Sequence, residues 1–278
     1  MTVGAKYNAI KQQLQSLSQS RLEADRLMAH VLHVSPSELI RIENQELDSQ
    51  MEEWLTEAVA RRLEGEPLAY ILETQGFYKY DFVVRKGVLI PRPETEFVVE
   101  TALRLFLAEA PKSFADLGCG SGCIGLSLLK EWPSSDLLSV DASETAIEVT
   151  KENMMRLSLN HRCRTKRTQV QHLSYIEEFD LIVANPPYIA PDDVQVEENV
   201  KKYEPHEALF AEQNGFAAIF QWSTWAMTAL KPRGWWITEI GAGQMEAVRA
   251  KLIELGFTNL GLKKDLAGHI RVMCAQKP

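Results

Sequence analysis

Four consecutive residues, Asn185-Pro186-Pro187-Tyr188, combine a side-chain amide, two rigid backbone positions and an aromatic ring. They follow the apolar run 179–184, which predicts a buried parallel strand, so they stand where open α/β sheets bind ligands. The prolines fix φ and remove two backbone donors, which leaves carbonyl oxygens and the Asn185 amide oxygen as acceptors. Such acceptors suit both hydrogens of a planar NH2 group. We therefore predict that Asn185, Pro186 and Tyr188 are catalytic and that Pro187 completes the substrate site.

A glycine-rich loop at 116–122 follows another predicted strand and opens a helix, so a ligand can approach its backbone closely. Cys123 stands where a dinucleotide fingerprint has its third glycine, and the Asp116 carboxylate is a poor neighbour for a pyrophosphate. That carboxylate suits a ligand with an ammonium and a sulfonium, which S-adenosyl-L-methionine carries. Asp141 ends the next strand, where it can accept hydrogen bonds from ribose hydroxyls. The predicted cofactor-binding residues are Asp116, Gly118, Cys119, Gly120, Ser121, Gly122, Asp141 and Asn185.

Either motif alone also fits a plain turn, but both motifs with Asp141 in register favour paired cofactor and substrate sites. Strands and helices alternate from about Pro93, which predicts a mostly parallel sheet with helices on both faces. Ser143 is the expected N-cap of the helix that follows Asp141. The predicted strands are 113–117, 137–141, 168–173, 181–184, 234–240, 259–264 and 269–275, the last two forming an antiparallel hairpin.

The chain divides by pattern into three segments. Residues 1–66 have helical periodicity and predict a small helical domain, which Gly65-Glu66-Pro67 ends. Residues 67–92 contain aromatic and β-branched residues between turn residues, which predicts a hairpin-like linker. Residues 93–278 form the predicted catalytic domain. The fold class is therefore α/β, a seven-stranded, mostly parallel Rossmann-like sheet with a small helical N-terminal domain.

Composition excludes several classes of function. The net charge of −8 and pI of about 5.4 argue against stable nucleic-acid binding, and the basic run 161–167 is interpreted as a solvated loop. The four cysteines form no Cys-x-x-Cys pair and the histidines have no ligand spacing, so no metal site is expected. We see no secretory signal and no apolar run of the roughly 20 residues that span a membrane. The sequence thus predicts a cytoplasmic protein, expected to be a monomer.

Beyond these motifs, the chain resembles the HemK/PrmC family of protein glutamine methyltransferases, which modify peptide chain release factors. The resemblance extends from about Leu22 to Ala275, helical segment included. Its most specific part is the interdomain signature. The Asn-Pro-Pro-Tyr motif narrows the possible reactions to methylation of planar amino groups. The matching stretches are Arg61-Arg62, 65–71, Phe77-Tyr78, 88–96, Glu204-Pro205, Ala208-Leu209, Glu239-Ile240-Gly241 and Gln244.

The resemblance implies a methyltransferase sheet that binds S-adenosyl-L-methionine and a helical domain that recognises the substrate. It places the stretch 92–96 at the mouth of the substrate pocket, with Arg92 and Thr95 as predicted substrate-binding residues. It further implies methylation of the glutamine side-chain amide in the Gly-Gly-Gln motif of bacterial class I release factors, in translation termination. The chain departs from the family pattern at 171–175, where an Asp is usual, so His172 or Ser174 is a candidate for the adenine contact.

The expected reaction is in-line methyl transfer, with the Asn185 amide oxygen and the Pro186 carbonyl each accepting one hydrogen of the substrate amide. One alternative is a DNA or RNA amino-methyltransferase with the same clamp, which would need a base-flipping surface. A second alternative is a non-catalytic S-adenosylmethionine-binding protein. The acidic stretch 191–200 is either a lid or a plain surface loop.

Overall fold

The structure, a computed structural model, describes residues 1–194 and 196–278. Gln195, within the stretch considered as a lid, lies outside the described residues. The chain forms two compact units, Met1–Glu73 and Thr74–Pro278, here called the helical unit and the larger unit. The division falls inside the segment predicted as a linker at 67–92. The boundaries of the three predicted segments remain predictions.

The helical unit buries one apolar core that includes Leu27, Met28 and Leu55. The third α-helix of this unit begins with a side-chain cap, since Asp48 Oδ1 accepts a hydrogen bond from the Met51 backbone N–H at 2.8 Å. A 3-10 helix, Pro36–Ile42, lies between the second and third α-helices. The α-helices are α1 Val3–Gln13, α2 Ser20–Leu32, α3 Ser49–Leu63 and α4 Leu68–Ile71.

The larger unit begins with an antiparallel hairpin and continues with alternating strands and helices. The Ser143 hydroxyl caps its helix by accepting from the Ala146 backbone N–H, which confirms that prediction. The strands are β1 Thr74–Phe77, β2 Tyr80–Val83, β3 Ser113–Leu117, β4 Asp136–Asp141, β5 Cys163–Arg167, β6 Phe179–Ala184, β7 Leu230–Glu239, β8 Thr258–Lys264 and β9 Ile270–Gln276. The helices are α5 Glu96–Leu105, α6 Cys123–Glu131, α7 Glu144–Arg156, α8 Glu198–Tyr203, α9 His206–Leu209, α10 Glu212–Gly215, α11 Ala217–Ala229 and α12 Met245–Glu254.

Seven strands form one sheet in the order β5-β4-β3-β6-β7-β9-β8. The first five in this order are parallel, while β9 is antiparallel to both β7 and β8. Apolar clusters pack on the sheet, one around Trp236 and another around Phe114. The predicted α/β fold with a seven-stranded, mostly parallel sheet is confirmed. The chain leaves β3 toward β4 and returns to β6 on the other side, so the topological switch point lies between β3 and β6.

Two local predictions are wrong, and they share one cause. The third parallel strand is β5, at 163–167, whereas the predicted strand 168–173 contains a 3-10 helix, Val170–His172. The basic run 161–167, interpreted as a solvated loop, is largely this strand. Because β5 is an edge strand paired only with β4, it needs no apolar run to satisfy its backbone, and charged side chains suit such an edge.

Candidate functional site

A cavity of about 280 Å³, here called the large cavity, opens at the carboxyl ends of β3, β4 and β6. Its lining joins both sequence motifs, because Gly118, Gly120, Asp141, Asn185 and Pro187 all contribute. The remaining lining residues are Gly87, Val88, Leu89, Ala142, Ser143, Ala146, Thr168, Gln169, Val170, Gln171, Pro205, Glu207, Ala208, Gln221 and Trp222.

Four predicted cofactor residues do not line the large cavity: Asp116, which lies in β3, and Cys119, Ser121 and Gly122, which lie in the glycine-rich loop after it. The Asp116 side chain is fully buried, and its Oδ2 accepts a hydrogen bond from the Gly125 backbone N–H at 2.9 Å. Burial raises the pKa of Asp116 to about 7. Gly122 has φ +81 and caps α6, and a side chain there would meet Leu126 at 2.9 Å. These four residues therefore fix the conformation of the glycine-rich loop from the side that faces away from the large cavity.

Gly118 and Gly120 face the cavity with left-handed backbone, φ +65 and +55, which favours glycine. At Gly118 a second constraint acts, since an added Cβ would stand 2.6 Å from the ring of Trp222. At Gly120 the nearest atom to an added Cβ is in Val88, 3.8 Å away. The cavity side of Gly120 is therefore open for a ligand.

Asp141 connects the glycine loop to the end of β4. Its Oδ2 accepts from the Gly120 backbone N–H at 3.0 Å and its Oδ1 from the Ser143 backbone N–H at 2.9 Å. Burial raises the pKa of Asp141, while these backbone donors act in the opposite direction. The carboxylate keeps further lone pairs that can accept hydrogen bonds from a ligand.

Sequence reasoning missed one wall of the large cavity. Residues 168–171 and the α11 residues Gln221 and Trp222 line it, whereas the suggested His172 and Ser174 do not. The segment was missed because β5 was placed too late in the chain. Had the edge strand been recognised at 163–167, the residues directly after it would have been the expected lining.

A second cavity of about 110 Å³, the small cavity, adjoins the same motif. Asn185 lines both cavities, whereas Pro186 and Tyr188 line only the small one and Pro187 only the large one. The other residues of the small cavity are Leu89, Arg92, Ile189, Val200, Ala208 and Leu209. The Asn-Pro-Pro-Tyr turn thus separates two adjoining spaces, with the Asn185 side chain bordering both.

The orientation of the Asn185 amide is set by Thr95. Asn185 Nδ2 donates a hydrogen bond to Thr95 Oγ1 at 3.2 Å, so Oδ1 is the atom that can accept from a ligand. Thr95 itself is buried and lines neither cavity. The structure thus places Thr95 beside Asn185, where the predicted substrate-binding role stays a prediction.

Tyr188 is held at both its backbone and its hydroxyl. Gln244 Nε2 donates to the Tyr188 carbonyl at 3.0 Å, and the Tyr188 hydroxyl donates to Glu239 Oε1 at 3.1 Å. Burial raises the pKa of Tyr188, so the phenol remains protonated at neutral pH. A side chain at Gly215 would stand 2.2 Å from the Tyr188 carbonyl oxygen, so only glycine fits against this turn.

Arg92 forms an ion pair with Glu204 beside the small cavity. Glu204 is buried, and its Oε2 also accepts from the Ile90 backbone N–H at 3.1 Å. Ile189 follows the Asn-Pro-Pro-Tyr turn directly, and its backbone N–H donates to the Leu209 carbonyl at 3.1 Å. This bond connects the turn to Leu209, which also lines the small cavity. The loops around the small cavity are therefore fixed by specific bonds.

Two family models match the chain. The PrmC N-terminal domain matches residues 7–72 and the methyltransferase small domain matches residues 95–203. A release factor glutamine methyltransferase of Koribacter versatilis is 37% identical over 93% of this chain and 91% of its own length. One from Vibrio cholerae is 36% identical over 99% and 97%. The chain belongs to the release factor glutamine methyltransferase family.

Solved structures agree on the fold. A SAM-dependent O-methyltransferase from Thermotoga maritima aligns with a TM-score of 0.50, 14% identity, and coverage of 69% of this chain and 67% of that one. A ribosomal protein L11 methylase from Lactobacillus delbrueckii aligns with a TM-score of 0.50, 19% identity, and coverage of 73% and 90%. As a family member, the chain is an S-adenosylmethionine-dependent methyltransferase.

The large cavity suits that cofactor. Gly120 presents open backbone, and Asp141 offers a carboxylate with lone pairs to spare, beside the apolar and polar surface of residues 168–171. In residues 1–194 and 196–278 no cluster of three or more acidic, His or Cys side chains could hold a metal ion. Within the same residues, no helix has the length and apolar character needed to cross a membrane.

Proposed function

We propose that this enzyme transfers the methyl group of S-adenosyl-L-methionine to the side-chain amide nitrogen of the glutamine in the Gly-Gly-Gln motif of bacterial class I peptide chain release factors. The relatives named above are release factor glutamine methyltransferases, which favours a protein substrate over DNA or RNA. The observation that carries the proposal is the position of Asn185, whose amide borders both cavities while its Nδ2 is held by Thr95.

The proposed reaction gives separate tasks to Asn185, Pro186 and Tyr188. S-adenosylmethionine would supply an electrophilic methyl group on a sulfonium. As the amide nitrogen bonds to the methyl carbon, the carbon–sulfur bond would break, S-adenosylhomocysteine would leave, and the nitrogen would lose one proton to water. Asn185 Oδ1 and the Pro186 carbonyl would each accept one hydrogen of the substrate amide, which fixes the nitrogen and favours the positive charge that develops on it. The Tyr188 ring would cover the amide in the small cavity and exclude water. Asp141 and the backbone at Gly118 and Gly120 would hold the cofactor.

We further propose that the helical unit recognises the folded release factor. This unit has its own core and matches the PrmC N-terminal domain, and it contains none of the residues that line the two cavities. Two contacts on one partner would raise the effective concentration of the glutamine loop at the site.

The test is methyl transfer to defined substrates. The purified chain is incubated with labelled S-adenosylmethionine and a class I release factor, the same factor with its Gly-Gly-Gln glutamine replaced by alanine, or duplex and single-stranded DNA. We expect one methyl group on the glutamine of the native factor, located by tandem mass spectrometry, and none on the other substrates. Methylated DNA, or equal labelling of the alanine variant, would contradict the proposal.

A further inference from the structure

Asn153 is a polar side chain on α7 that is 1% exposed and lines neither cavity. Its Oδ1 accepts a hydrogen bond from the Val83 backbone N–H at 2.7 Å, and its Nδ2 donates to the Val83 carbonyl at 3.0 Å. The same Nδ2 donates to the Ser121 carbonyl at 2.9 Å. The amide therefore uses both of its donors, and it joins the end of the β1–β2 hairpin to the glycine-rich loop.

The two segments that Asn153 joins each carry a wall of the large cavity. Val83 ends β2, and the chain directly after it contributes residues 87–89 to the cavity lining. Ser121 follows Gly120, which lines the same cavity from the loop after β3. A single buried amide thus holds two walls of the cofactor cavity together from outside the cavity.

Other residues on the same face of α7 support both walls. One turn before Asn153, the Thr150 hydroxyl donates to the Gly120 carbonyl at 2.9 Å, so the helix binds two consecutive carbonyls of the glycine-rich loop. On the other wall, Val88 forms a buried apolar cluster with two residues of this face, Ala146 and Val149. The face of α7 therefore contacts each wall at two points.

The pairing of the Asn153 amide makes its bonds depend on one another. If the hairpin end moved away, a buried donor and a buried acceptor would lose their partners at once, which costs more free energy than the bonds themselves contribute. The amide would then also lose the orientation that directs Nδ2 at the Ser121 carbonyl. Displacement of the hairpin end is therefore opposed by the glycine-rich loop, and displacement of the loop is opposed by the hairpin.

We propose that Asn153 is a positioning residue for cofactor binding, which holds residues 87–89 against the glycine-rich loop and couples the cofactor to the β1–β2 hairpin. Such coupling is reciprocal: a ligand that needs both walls in place stabilises the hairpin end by the same factor by which an ordered hairpin strengthens binding. The coupling involves the cofactor alone and does not depend on which substrate receives the methyl group.

The first measurement is calorimetry of S-adenosylhomocysteine binding to the full-length protein. Asn153→Ala should weaken binding on the order of tenfold or more. Asn153→Asp keeps the acceptor for Val83 but has no donor for the two carbonyls, so it should also weaken binding, and it replaces the alanine variant if that one does not fold. Unchanged affinity in a folded Asn153 variant would overturn the positioning role.

Leu252→Ala is the control for a general loss of stability. Leu252 is a fully buried residue of α12 that lines neither cavity. Its truncation should lower the free energy of unfolding, because it leaves a cavity in the core, but the affinity of the folded protein for S-adenosylhomocysteine should stay that of wild type.

A second variant in the hairpin tests whether the effect passes through Asn153. Phe82 is fully buried and lines neither cavity, so Phe82→Leu can alter cofactor affinity only through the hairpin. It should weaken binding in wild type and add little further loss in Asn153→Ala, where the connection is already broken. No loss in wild type, or the same loss in both backgrounds, would show that hairpin and loop act independently.

Hydrogen exchange at saturating S-adenosylhomocysteine measures the coupling from the other side. The ligand should slow exchange of the Val83 amide in wild type by more than it slows that of Val248 in α12, which reports general stabilisation by the ligand. In Asn153→Ala the excess at Val83 should vanish, while the Gly120 amide, bound to Asp141, should still be slowed.

An equal excess at Val83 in wild type and in Asn153→Ala would overturn the coupling. A wild-type protein that shows the coupling but methylates no Gly-Gly-Gln peptide would refute the proposed function and leave the role of Asn153 supported.

Discussion

The Asn185 side-chain amide has an orientation set by the Thr95 hydroxyl, and the proposed reaction depends on that orientation. Its residue type and its place after a strand were evident in the sequence, but its partner Thr95 lies 90 residues earlier. The bond between them is a tertiary contact that no local pattern announces. The same holds for Tyr188, whose hydroxyl donates to Glu239, 51 residues later in the chain.

Asn185→Ala should lower kcat on a Gly-Gly-Gln peptide by about 10²–10³-fold, because an oriented acceptor for the developing charge is lost. Affinity for S-adenosylhomocysteine, measured by calorimetry, should change far less than turnover. Asn160→Ala, at an exposed position, is the matched control and should behave like wild type. Near-normal turnover in Asn185→Ala would remove this residue from the site.

Asp116 should make stability depend on pH. Its folded pKa of about 7 lies above its ordinary value of 3.8, so ionisation above pH 7 opposes folding by on the order of 4 kcal/mol. The stabilising contribution is full below about pH 4 and is lost as pH rises through 7. Asp116→Asn, which keeps an acceptor for Gly125, should therefore gain stability over wild type in urea unfolding at pH 8 compared with pH 5. An unchanged difference between the two pH values would contradict the buried ionisable carboxyl.

Among the elements, those with a distinctive pattern were predictable and the edge strand was not. β3 and β6 are apolar runs and lie centrally, where both faces are covered, so their sequence carries the signal. β5 reads Cys-Arg-Thr-Lys-Arg and has only one neighbour, so its residues meet solvent and show no apolar run. The misplaced strand then hid residues 168–171 from the predicted site. Trp222 was hidden for another reason, because its contact with Gly118 joins two distant elements.

Gly118 and Gly120, the two glycines of the loop after β3 that line the large cavity, should respond differently to alanine. Both have left-handed φ, which costs an L-residue about 1–2 kcal/mol, but only Gly118 also has Trp222 in the way. Gly118→Ala should therefore lower the free energy of unfolding more than Gly120→Ala. Gly120→Ala, whose methyl group enters open space, should mainly weaken cofactor binding.

Trp222→Ala tests whether the Trp222 ring causes the difference in stability between Gly118→Ala and Gly120→Ala. Combined with Gly118→Ala, it should remove most of the difference in urea unfolding between the two glycine variants, because the overlapping ring is gone. A difference that persists in the double variant would show that Trp222 is not its source.

At the level of the whole molecule, the chain has two units with separate cores, and the proposal gives methyl transfer to the larger unit and recognition to the helical unit. All residues of both cavities lie in Thr74–Pro278. This division predicts that methyl transfer and recognition of the intact release factor can be measured separately.

A chain limited to Thr74–Pro278 should keep its activity on a short Gly-Gly-Gln peptide, provided circular dichroism shows that it folds. Its kcat/KM on intact release factor should fall about tenfold or more, because the second contact is lost. Equal rates of the full and shortened chains on the intact factor would show that residues 1–73 are not the recognition unit.

The reactivity of the four cysteine thiols depends on whether reagents can reach them in the folded protein. Cys119, Cys123, Cys163 and Cys274 are all buried, and burial raises the pKa of each. Alkylating reagents and oxidants react with the thiolate. Because the thiols of the folded larger unit are buried and stay protonated, both kinds of reagent should react with them slowly. The helical unit contains no cysteine. The rate of thiol labelling therefore reports on opening of the larger unit alone. Labelling of Cys163 measures opening of the sheet edge, and labelling of Cys119 measures opening of the glycine loop.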